Sequence, residues 1–156
     1  MKSRKHASHP RVGFEKKMTY FADLTKYEYL KSPSGPDVLN VGWLDRDQPF
    51  STGNIPVQIL DRLFDLCLNP MNKTRGYHQC GLCPQSVAWP ITCSRNGRQI
   101  HLGSAEIHVP GTLGRLFVAP DMIYHYVTVH GYMPPTEFIN AVMKSEGTNQ
   151  QFKSGA

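Results

Sequence analysis

The sequence predicts an α+β fold, a small antiparallel sheet with about three helices, and three observations carry that reading. Strand-like segments come in one run between Ser86 and Val118 rather than alternating with helices. An amphipathic stripe spans Asn54 to Leu68, and two further helical segments follow the strands. Between the first helix and the strands stands Cys80-Gly-Leu-Cys83, a C-x2-C pair of the kind that forms a metal knuckle. With 156 residues, 40% of them hydrophobic, the chain is long and apolar enough for one packed domain.

Each element follows from local chemistry. Residues 18–31 alternate aromatic and polar side chains and read as an extended segment laying Tyr20, Phe21, Tyr27 and Tyr29 on the core. Ser32 to Pro36 is a turn cluster, and Val38 to Leu44 reads as a strand. Asn54 is placed to cap the first helix, with Pro56 tolerated in its first turn, where an amide would go unpaired. Val57, Leu60, Phe64 and Cys67 then form one face, and Asn69-Pro70 ends the helix. Ser86 to Cys93 and Arg98 to Leu102 flank Asn96-Gly97, a strong hairpin signal. Ala105 to Val109 and Arg115 to Val118 are the third and fourth strands of that run. Pro120 to His130 reads as a helix closed by Gly131, and Pro134-Pro135 opens a last helix carrying Phe138, Ala141 and Val142. The expected organisation is a basic leader over 1–17, one domain over 18–145 and a flexible tail over 146–156.

Charge is unevenly spread. The leader holds six basic residues against Glu15, which equals the whole formal charge of +5. Such a leader attracts phosphates weakly and without sequence preference, so weak nucleic-acid binding is expected of it. Asp37 to Asp65 is locally acidic and Lys73 to Arg115 locally basic, which reads either as an anion-binding face or as edge protection of the hairpin. No apolar run approaches 18 residues, so no membrane helix is predicted. The leader has no apolar stretch behind it, so no secretory signal is expected and the cytoplasm is the predicted location.

In a reducing compartment a loop C-x2-C is a metal knuckle or a redox pair, and the strand-to-helix context of a thioredoxin-type pair is missing. Structural zinc takes four ligands, and His125 and His130 at the end of a helix are the predicted partners of Cys80 and Cys83. The order of knuckle, hairpin and helix is similar to that of treble-clef fingers. On an ideal helix, residues five apart lie about 140° from each other, so His130 must sit where the helix unwinds. His78 is the alternative ligand, which would leave zinc with three protein ligands and an open, catalytic position. In that alternative Glu106 is the proton shuttle, although the motif order of zinc deaminases is inverted here. Strand alternation sends Glu106 and His108 outward, opposite Ala105, Ile107 and Val109. Cys67 and Cys93 read as core thiols and His101 as a surface residue. No nucleophile elbow, P-loop or dinucleotide fingerprint occurs in the sequence.

Several motifs act as a set: Tyr20-Phe21-Ala22-Asp23-Leu24, Asn40-Val41-Gly42-Trp43-Leu44-Asp45, His78-Gln79-Cys80-Gly81-Leu82-Cys83, Gly103-Ser104-Ala105-Glu106-Ile107, and Tyr124-His125-Tyr126-Val127 with His130-Gly131-Tyr132-Met133-Pro134-Pro135. Together they resemble a family of small uncharacterised bacterial proteins, a domain of unknown function, from about Tyr20 to Val142. The resemblance implies a bacterial cytosolic protein and brings no activity with it. The functional expectation is a zinc-stabilised domain that binds another protein, as an immunity or adaptor-type factor. A zinc hydrolase or deaminase-like enzyme and a nucleic-acid-binding protein are the alternatives.

Overall fold

The computed structural model describes residues 19–29, 35, 37–85 and 87–145. The predicted leader and tail, and most of the Ser32–Pro36 turn cluster, lie outside the described residues. The elements are β1 (Val38–Asn40), α1 (Val57–Leu68), β2 (Ile91–Arg95), β3 (Arg98–Leu102), β4 (Glu106–Pro110), β5 (Leu116–Pro120), α2 (Ile123–His130) and α3 (Thr136–Lys144). The class is α+β, as the run of strands predicts.

Helix α1 starts later than its sequence signals suggest. Pro56 is its N-cap, no side chain caps it, and Asn54 lies outside. The Pro56 carbonyl accepts the amides of Ile59 and Leu60 at 3.0 and 3.3 Å, so the helix is set by the ring-fixed backbone of the proline. The buried face is Ile59, Leu63, Phe64 and Cys67, whereas Val57, the first helical residue, is 62% exposed.

β2 and β3 form the expected hairpin, with Arg95 opposite Arg98 across the Asn96-Gly97 turn. A second sheet has the order β1-β5-β4 and is mixed, not antiparallel. β4 pairs antiparallel with β5, but β1 runs parallel to β5, with Val38 opposite Leu116. Parallel pairing needs a long crossover, and here α1, the knuckle, the hairpin and β4 all fall within it.

Segment 19–29 is extended but not a continuous strand. It touches the sheet through single antiparallel bridges, Phe21 to Trp43 and Lys26 to Leu39. Its rings cover one face of the mixed sheet: Tyr27, Val38, Trp43 and Val118 form a small core of their own, with Phe21 and Leu116 packed against it. The Phe21 and Trp43 rings meet edge to face at 5.6 Å. The main core lies against Val109, Phe117 and Ala119 and contains the buried faces of all three helices. Both faces of β4 are therefore covered. This corrects the outward placement of Glu106, which is only 3% exposed, and of His108, which is half-buried.

The knuckle segment is tied to the β3–β4 link at Gly103. The His78 amide donates to the Gly103 carbonyl at 2.8 Å. A Cβ at position 103 would lie 2.5 Å from the His78 carbonyl oxygen, and φ there is +108°, so only glycine permits the approach. The locally basic hairpin docks on acidic α1 through Arg95–Asp61 (2.5 Å) and Arg98–Asp65 (2.8 Å), and Arg115 pairs with Glu137 at 2.6 Å. Three of the cations behind the anion-binding reading are thus neutralised within the fold.

Candidate metal centre

The knuckle is built by opposing orientations of its peptide groups. The amides of Leu82 and Cys83 point inward at the Cys80 sulfur. The carbonyls of Gly81 and Cys83 point the other way and accept Nε–H (2.9 Å) and Nη2–H (3.2 Å) from Arg46. One guanidinium fork thus fixes the turn that aims both sulfurs, and both thiols are buried.

Helix α2 supplies the imidazoles. His125 is buried in the body of the helix and His130 is its last residue. Gly131 follows in the left-handed region at φ 68°, and its amide bonds to the Tyr126 carbonyl, five residues back instead of four. The Tyr132 amide reaches the same carbonyl at 3.1 Å. A turn closed five residues back is wider and rotates less per residue, which reduces the angular offset between His125 and His130. Their ring centroids lie 5.0 Å apart at 76°. The unwinding required by the five-residue spacing is therefore found at the predicted place.

The four groups converge. Cys83 Sγ lies 3.2 Å from His125 Nε2 and 3.3 Å from His130 Nε2, and Cys80 Sγ lies 3.4 Å from His130 Nε2. All four ligand atoms fall within 4.8 Å of one another. Tetrahedral zinc with bonds near 2.0–2.3 Å sets its ligand atoms roughly 3.3–3.8 Å apart, so the spacing fits a metal ion of that size.

Electrostatics agree with a metal-ready site. Burial pushes the Cys80 thiol up to about 11, against the lowering effect of the two amides that point at it. Burial and the neighbouring His130 ring push His125 down to about 4, and burial also lowers His130. Both imidazoles are thus in the neutral, ligating form at neutral pH, and the Cys80 thiol keeps its proton until a cation displaces it.

The other candidates sit elsewhere. His78 is not in the cluster; it lines a pocket with Glu106 and Asp121. Glu106 accepts the Tyr27 hydroxyl at 2.5 Å and the Asn72 amide at 2.6 Å. Cys67 is buried on α1 and Cys93 is half-buried on β2, both as core thiols. His101 pairs with Thr92 on the hairpin at 2.9 Å. Arg46 is a site residue that the sequence conceals: it lies 35 residues from Gly81, in a loop with no motif.

No match was found among curated proteins or among solved structures. Residues 19–143 match the family model described as Domain of unknown function (DUF7919), a span that contains the whole Cys/His cluster and every helix but the last residue of α3. The chain therefore belongs to the DUF7919 family of domains of unknown function.

Proposed function

We propose that this protein is a zinc-stabilised binding domain whose partner is another protein. The observation that supports it most directly is the convergence of Cys80, Cys83, His125 and His130 within 4.8 Å. Two thiolates and two imidazoles in tetrahedral reach are a donor set that suits zinc. Four protein ligands leave no position for a bound water, so the ion would act as a fastener and not as a Lewis acid. Bound there, it would tie the knuckle to α2 and so join the middle of the chain to its last helices. The choice of another protein as partner rests on exposed apolar side chains borne by the same segments. Trp89 is 51% and Val87 43% exposed just after the knuckle, and Val129, beside His130, is 60% exposed.

Elemental analysis of untagged protein tests the metal, with about one zinc per chain expected. Less than about 0.2 zinc per chain, with melting unchanged by a strong chelator, would overturn it. For the partner, Trp89→Ser is expected to keep zinc and fold while losing proteins crosslinked to the wild type in its native cells. The same partners at equal yield from the variant would remove the binding role assigned to this surface.

A further inference from the structure

Apart from the Cys/His cluster, a small half-open pocket lies where segment 19–29 meets the β3–β4 link. Tyr29, Trp43, Ser104, Glu106 and Asp121 are among its lining residues, and none of the four cluster residues is. Glu106 and Asp121 are 3% and 2% exposed. Their contacts are with neutral donors: Tyr27 and Asn72 for Glu106, and the backbone amides of Gly103 (2.8 Å), Ser104, Ala105 and Met122 for Asp121. Among the described residues neither carboxylate has a Lys or Arg partner. His108 faces Glu106, its Nε2 3.7 Å from Oε1 and buried with no hydrogen-bond partner, and His78 lines the same pocket.

A carboxylate taken out of water is costly unless an opposite charge meets it. Each carboxylate oxygen accepts two hydrogen bonds, so Glu106 keeps acceptor capacity after Tyr27 and Asn72 are served. Trp43 and Tyr29, with ring centroids 5.5 Å apart, supply the aromatic wall that attracts a cation. A divalent ion suits the pocket poorly, because the Cys/His cluster is the one group of three or more metal-binding side chains in ligand reach among the described residues.

We propose that this pocket binds a small organic cation with N–H donors, of amidinium or guanidinium type, its charge at Glu106 and its flat body against Trp43 and Tyr29. The positive charge supplies what the two carboxylates lack, the N–H groups reach the remaining Glu106 acceptors, and the rings take the apolar face. The site does not depend on the metal centre.

The test uses the full chain as purified, labelled with nitrogen-15 and titrated with benzamidine. The two indole N–H signals serve as reporters: Trp43 donates to the Val118 carbonyl beside the pocket, and Trp89 donates to the Tyr77 carbonyl and does not line it. The Trp43 signal is expected to shift saturably and the Trp89 signal to stay. Neutral benzamide and anionic benzoate should produce no such shift. Glu106→Gln, with the free Trp43 signal at its native position to show an intact fold, should weaken binding about tenfold. Should that variant fail to fold, Tyr29→Leu decides, because Tyr29 is already 38% exposed and its loss should weaken benzamidine several-fold. No saturation by about 10 mM, an equal response to benzamide, or unchanged affinity in the deciding variant would overturn the proposal.

Discussion

His125 Nε2 lies 3.2 Å from Cys83 Sγ although 42 residues separate them in the chain. Both groups are buried, and without an ion the pair is held only by a weak hydrogen bond to sulfur. A metal there would contribute to folding directly. Cys83→Ser is expected to abolish stoichiometric zinc and to cost at least about 3 kcal/mol, a fall in Tm on the order of 10 °C for a domain this size. Chelation of the wild type should produce a similar fall, reversed by added zinc. Calorimetry with and without chelator checks both.

Arg46 acts on the same centre without touching it. Its fork holds the carbonyls of Gly81 and Cys83, which keeps the amides turned toward Cys80. Arg46→Ala should leave one zinc per chain but weaken its binding by about tenfold or more, read by competition with a chromophoric chelator. Arg46→Lys should recover little, since an ammonium cannot span both carbonyls in one plane.

Burial raises Asp121 to about 6, only partly offset by backbone amides of Gly103, Ser104, Ala105 and Met122. Its folded value lies above the unfolded one of about 3.8, so the folded state holds the proton more tightly. The stabilisation is full below that unfolded value and is lost as pH rises through about 6. In metal-free protein, Asp121→Asn should remove this slope, worth up to roughly 3 kcal/mol between the two limits. Urea unfolding at stepped pH values would show it, and parallel profiles for the two proteins would contradict it.

Tyr27→Phe removes one of two neutral donors from buried Glu106. The expected loss is about 1–3 kcal/mol, because the carboxylate oxygen is left without that donor. Paired with Glu106→Gln in a double-mutant cycle, the two changes should be clearly non-additive.

The pairing of Arg95, Arg98 and Arg115 with Asp61, Asp65 and Glu137 predicts that the described domain has little pull on nucleic acid. Binding to duplex DNA should reside in residues 1–17, with a salt slope near −4.5 for about five phosphates. A chain starting at Thr19 should lose that binding and keep its Tm. Retained binding with a steep slope would point to a folded basic face.

Much of this arrangement was legible because local chemistry decided it. Asn96-Gly97 sets the hairpin, Gly131 ends α2, and the C-x2-C loop with His125 and His130 locates the cluster. The sequence misled where a distant segment changed an element's surroundings. Period-two alternation correctly buried Ile107 and Val109 but turned Glu106 outward, since nothing in 105–109 reveals that Tyr27 covers the second face. The parallel pairing of β1 was hidden for the same reason, as strand direction is set by a crossover and not by the three residues that pair. Arg46 carries no local mark because its role exists only once the knuckle is folded against it.

The parallel pairing of Asn40 with Val118 has a consequence for synthesis. On a ribosome the edge strand emerges long before the strand it must join. At about 5–20 residues per second, that gap of 78 residues lasts roughly 4–16 s. During this interval Trp43 and the rings of segment 19–29 lack Val118, and the two cysteines lack their histidines. The nascent chain therefore presents an aromatic segment and a thiol pair before the side chains that cover them have been made. Emergence of the Phe117–His130 segment then completes the sheet and brings the two histidines to the two cysteines within 14 residues.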